Sequence, residues 1–158
     1  MGLPLANSPA DVVRYVLIAL GLGTLPPANP VEGTWPISAN QELDSPDGVV
    51  TVYDTTGNKD ARSMIDGEVT EHPGIQNRVR EDTDLAAQTQ AELIKVAVDQ
   101  QVAGYNVQIL NGLTNVVHNF TVMNISRSGN PIQIGNESPT SRRRLYTINA
   151  TVTVVQTS

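Results

Sequence analysis

Within residues 145–155 apolar and polar side chains alternate from Tyr146 to Val154. Tyr146, Ile148, Ala150, Val152 and Val154 point one way, and Thr147, Asn149, Thr151 and Thr153 the other. A period of two over that length is a strand with one face in a core and the other wet. The fold is therefore organised on a sheet. Its core must be aliphatic, because aromatic residues make up only 4% of the chain, with one Trp and one Phe. That composition favours packed strands of Val, Ile, Leu and Ala and leaves few rings for stacking on bases or sugars.

Ser8-Pro9-Ala10-Asp11 is a helix start: Ser8 caps, Pro9 suits the first helical position and Asp11 faces the positive end of the dipole. The helix is expected over residues 8–20 and stops at Gly21-Leu22-Gly23. Residues 24–47 contain five prolines and Trp35. They read as an extended loop or docking arm outside the compact core, since such a segment cannot supply a central strand. Residues 49–53 form a short strand that Asp54-Thr55-Thr56-Gly57 ends as a turn. In the next strand Ile75 and Val79 share a core face, while Gln76, Arg78 and Arg80 share a face that is wet or meets a partner.

A second helix is expected over residues 83–101, with Ala86, Leu93, Val96 and Ala97 as its apolar stripe. Residues 107–110 and 116–127 follow as strands. The longer one carries Phe120 and Val122 on one face and Val117, Met123 and Ile125 on the other. Two apolar faces imply a subunit contact, or helices on both sides. Ser128-Gly129-Asn130-Pro131 reads as a hairpin turn into residues 132–134. The expected class is α+β: one domain over residues 1–158, with a mainly antiparallel, mixed sheet of about five strands, two principal helices packed on it, and the Pro-rich arm.

A chain of 158 residues with formal charge −6 and no cysteine suits one core, with no disulfide framework or thiolate metal site. The charge argues against a protein whose main task is gripping phosphates. The apolar run 12–22 follows Asp11, is interrupted by Arg14 and is too short to span a bilayer. His72 and His118 sit in different elements without metal-site spacing, and read as a loop and a strand residue. Asp54, Asp60, Asp66, Glu68 and Glu71 are dispersed through an acidic loop. Asp54-Thr55-Thr56-Gly57 is similar to the nucleophile turn of aspartic proteases, which need a second such turn. A small hydrolase using the acidic loop is thus an alternative reading, and would require a pocket of perturbed carboxylates. Arg142-Arg143-Arg144 is the one dense positive cluster; it is read as a solvated loop, a contact with an acidic neighbouring subunit, or a DNA contact.

Two stretches carry a family resemblance. His72-Pro73-Gly74-Ile75-Gln76-Asn77-Arg78-Val79-Arg80, followed at once by a helix rich in Ala, Gln and Glu, resembles the "PGIQ-x-RVR then helix" segment of the tail terminator (minor capsid) proteins of tailed bacteriophages. Pro131-Ile132-Gln133-Ile134-Gly135, leading through Asn136-Glu137 and Arg144 to the closing strand, is similar to that family's ending. The long segment around Trp35 and the three consecutive arginines depart from the pattern. The resemblance implies a structural virion protein of the neck, assembled in the host cytoplasm. It implies a ring, in this family a hexamer, that ends the tail tube and joins it to the head-side connector protein. Tail tube protein and connector are the implied partners, DNA passes through the channel without specific binding, and no membrane, cofactor, metal or catalysis is involved. Another neck or tail component, a head-closure or tube subunit, is the nearest alternative. In such a ring Trp35 would anchor in a neighbour's pocket. Arg142, Arg143 and Arg144 would meet Asp60, Asp66, Glu68 and Glu71 of the adjacent subunit, with Arg78 and Arg80 on the partner-facing side.

Overall fold

The computed structural model describes residues 5–26, 31–59 and 71–157. The expected acidic partners Asp60, Asp66 and Glu68, and the side chain of Glu71, lie outside the described part. The α+β class holds, with seven strands among the described residues in place of about five. The elements are α1 (Pro9–Ala19), β1 (Ile37–Ala39), β2 (Val49–Lys59), β3 (Glu71–Glu81), α2 (Asp84–Gln100), β4 (Asn106–Leu110), β5 (Val117–Arg127), β6 (Ile132–Asn136) and β7 (Arg144–Gln156).

The sheet runs β1-β2-β3-β7-β5-β4, with β6 also paired to β7; β1 is parallel to β2 and the other pairings are antiparallel. The alternating run at the end of the chain is thus a central strand. Both helices lie on the face that carries Val50, Val52, Ile75, Tyr146 and Ile148, all in one aliphatic core. Two polar contacts fix that arrangement. Asp54 of β2 accepts from the Ala10 N–H at the start of α1 (2.9 Å), and Tyr146 Oη of β7 donates to Asp84 at the start of α2 (3.1 Å). Each carboxylate also meets the positive end of a helix dipole. Because α1 touches β1 at one sheet edge and β4 at the other, the sheet curls around it.

Four expectations are corrected by backbone irregularities. Asp54-Thr55-Thr56-Gly57 does not end its strand: β2 continues to Lys59 through a bulge between Thr55 and Asn58. A Cβ on Gly57 would lie 1.9 Å from the His72 carbonyl oxygen, so glycine is there for close backbone approach rather than for a turn. A second bulge falls between Val122 and Asn124 of β5. It shifts the alternation by one, so Ile125 joins Phe120 and Val122 in the core, while Met123 is 59% exposed. β5 therefore has one buried face, and the apparent second face was a phase change. Third, Ser128-Gly129-Asn130-Pro131 is no hairpin. Arg127 pairs with Ala150 and Ile132 with Thr147, so β5 and β6 run in the same direction along one edge of β7, with the turn residues looped out between them.

The fourth correction concerns the Pro-rich segment. Residues 36–39 join the sheet edge, Ile37 is fully buried, and Trp35 packs against the core. Beyond Asn40 the chain passes to the opposite face of the sheet. There the carbonyls of Leu43, Asp44 and Pro46 accept from Arg80. A strand at the edge tolerates flanking prolines, as the absence of a ladder partner on one side predicts. The described part of this segment is tied to the domain at both ends.

Candidate functional site

The outer surface of α2 departs most from a solvated helix. Its inner side buries Ala87, Ala91, Ile94, Ala97 and Val98. Leu93 and Val96, expected in that stripe, are instead 49% and 44% exposed, and Leu85 is 72% exposed. The reason is that the helix carries more apolar residues than one face can hold, and the small alanines are the ones pressed onto the sheet. Leu85, Thr89, Leu93 and Val96 then follow one another at spacings of four, four and three along the outside. A groove of about 460 Å³ opens between this stripe and Trp35, and its walls, including Ala86 and Gln90, carry no charged side chain. Gln90 holds its floor by donating to the Leu22 carbonyl (2.7 Å), which fixes α2 against the end of α1.

The second surface is the β4–β5 hairpin, beyond the opposite sheet edge. Leu113 at its tip is 97% exposed, flanked by exposed Leu110, Val116 and Val117. The loop is nonetheless ordered by its own polar groups. Asn111 Oδ1 accepts from the N–H groups of Leu113 (2.9 Å) and Thr114 (3.3 Å), and Asn115 N–H donates to the Asn111 carbonyl (2.8 Å). Asn115 takes a positive φ of 55°, which Asn tolerates better than most residues. No Asp, Glu, Lys or Arg occurs anywhere between Asp99 and Arg127, a gap of charge in the sequence that marks this hairpin.

The expected interface arginines divide. Arg80 is 1% exposed, so it is corrected from a partner-facing residue to an internal clamp. Besides the three carbonyls above, its guanidinium donates to the Asp47 carbonyl (3.4 Å) and lies 3.3 Å from Glu137 and 3.9 Å from Glu42. Arg143 is likewise engaged within its own chain, with Asp47 at 2.7 Å and Glu137 at 3.3 Å. Arg144 donates to Asn136. Arg142 is the exposed member of the run and has no partner among the described residues. Arg78 lies over the Tyr53 ring at 5.2 Å, with Glu42 at 3.6 Å.

The residues weighed for chemistry have structural partners. Besides capping α1, Asp54 accepts from Asn40 Nδ2 (2.7 Å). His72 Nδ1 lies 3.2 Å from Thr153 Oγ1, and His118 Nδ1 3.2 Å from Gln156. Among the described residues no three His, Asp or Glu side chains converge as a metal site would require. One carboxyl is strongly perturbed: burial first, then a hydrogen bond with Asp82 and the charge of Glu32, push Glu81 up to about 7. It faces Gly48, where a Cβ would sit 2.4 Å from Glu81 Oε2, and Glu32 accepts from the N–H groups of Asp47 and Gly48. The site belongs to the loop clamp around Arg80.

In comparisons with known proteins, no family model and no curated relative matches the chain.

Proposed function

We propose that this chain is a structural subunit of a bacteriophage neck, forming a ring that ends the tail tube and joins it to the head-side connector. The observation that carries this reading is the second apolar face of α2. That helix already fills the core from its inner side, yet Leu85, Leu93 and Val96 keep much of their surface exposed on its outside, with Leu85 and Leu93 lining the groove beside Trp35. Apolar side chains gathered on an ordered helix, next to an uncharged groove, are what a subunit contact is made from. Support also comes from the resemblance in residues 72–80 and 131–152, which spans β3, the start of α2 and the closing strands.

Imaging of the purified protein by negative-stain electron microscopy tests the reading. Closed rings that cap isolated tail tubes are expected. Long tubes built from this chain alone would favour a tube subunit, and a monomer that never caps tubes would overturn the assignment.

A further inference from the structure

We infer that the ring contact is head-to-tail: the uncharged β4–β5 hairpin tip of one copy seats in the groove between α2 and Trp35 of the next. This rests on the ring reading and specifies its interface. The occupant follows from charge. At −6 per chain, two copies repel one another wherever acidic surfaces meet. The hairpin carries no Asp, Glu, Lys or Arg, and neither do the groove walls, so the tip meets no charged side chain inside the groove, while Glu92 stands on the far flank of the Leu93 stripe.

Shape agrees with charge. Leu113 projects from a tip that the Asn111 side chain already holds in place, so little loop entropy is lost on docking. The groove is concave and the tip convex; the groove lies along α2, over the central strands β3, β7 and β5, and the tip joins β5 to the edge strand β4. Two different surfaces on one chain make a heterologous contact, which closes into a ring or propagates. Size supports closure. Residues 110–117 are few beside the roughly 20–30 that a standard interface uses on each side. A single contact is therefore weak, and a closed ring, in which every subunit makes two, is the stable form.

Two variants test the contact, Leu113→Asp on the tip and Leu93→Asp in the groove, with Leu85→Asp as a second groove variant. All three positions are exposed, and circular dichroism of each variant should match the wild type. By sedimentation velocity each variant alone is expected to need about 30-fold or more higher concentration to assemble, the loss of one hot spot. Mixed in equal amounts, the tip and groove variants retain one intact contact between them. They should form 1:1 pairs that grow no further, and only at concentrations well above those at which the wild type forms rings, because one contact alone is weak. Variants that assemble like the wild type, or a mixture that at high concentration pairs no more than either variant alone while the wild type forms rings, overturn this contact and leave the ring reading standing. A wild type that stays monomeric overturns both.

Discussion

Asn77 lies on the helix-covered face of β3, between Val52 of β2 and Ile148 of β7 in register, and is fully buried. Neither its Oδ1 nor its Nδ2 has a hydrogen-bond partner among the described residues. A buried amide without partners costs about 1–3 kcal/mol. Asn77→Leu, which fills the site with an apolar group, is therefore expected to stabilise the protein by about that amount, read as a higher melting temperature. An unchanged or lower melting temperature would contradict this. Glu81 makes a prediction of a different kind. Its folded value of about 7 lies above the ordinary 4.5, so folding favours the protonated carboxyl. Its contribution is complete below the unfolded value and is lost as pH rises through about 7. Asp82 has the opposite sign, held low by hydrogen bonds from Glu81 and Thr83. In Glu81→Gln the amide still donates to Asp82, so the comparison isolates Glu81. Denaturant melts from about pH 5 to about pH 8 should show the wild type losing stability relative to the variant; parallel curves would contradict the assignment.

At the scale of elements, the loop clamp depends on one side chain. Arg80 reaches four backbone carbonyls and Glu137 at once, which uses the planar fork of a guanidinium. Arg80→Lys keeps the charge and loses that geometry. A loss of about 3 kcal/mol is expected, the scale of one or two bonds to a charged group, together with faster proteolysis within residues 40–47. Cleavage at the wild-type rate would place the anchor elsewhere. None of this was legible beforehand. In the sequence Arg80 is an alternate position of a half-buried strand, and its burial is created by loops more than thirty residues away in both directions. The helices and β7 were legible because capping residues and a period of two are local signals. The bulges at residues 55–58 and 122–124 were not. Each inserts residues without changing composition, and a shift of one reverses every side chain after it. α2 was legible as a helix but not in its rotation, since apolar residues surround most of it and the packing of alanines against β7 decided which side faces inward. The charge gap between Asp99 and Arg127 is present in the sequence, but it covers buried Val102, Phe120 and Val122 as well as the exposed hairpin, so it does not by itself separate core from surface.

For the whole molecule, the sign of the salt effect separates two kinds of contact for the proposed ring. If Arg142, Arg143 and Arg144 met acidic residues of the next subunit, added salt would screen the attraction and weaken assembly. The structure removes much of that attraction, because Arg143 already faces Asp47 and Glu137 and Arg144 donates to Asn136 within the chain. A contact between an uncharged tip and an uncharged groove has no ion pairs to lose. What opposes it is the net charge of −6 on every copy, about −36 for six copies. Repulsion of that kind is long-ranged at low salt, where the Debye length is about 30 Å at 0.01 M, and short at 0.15 M, where it is about 8 Å. Assembly of the wild type is therefore expected to strengthen as salt rises from about 0.01 M to about 0.15 M, and the hydrophobic part of the contact is not weakened over that range. Sedimentation velocity across a salt series at fixed protein concentration reads this directly. Triple replacement of the arginines by Ala makes the chain more acidic, so it should shift the assembly midpoint to higher salt without abolishing rings. Rings that dissolve on adding salt would return the interface to ion pairs and count against the hairpin contact.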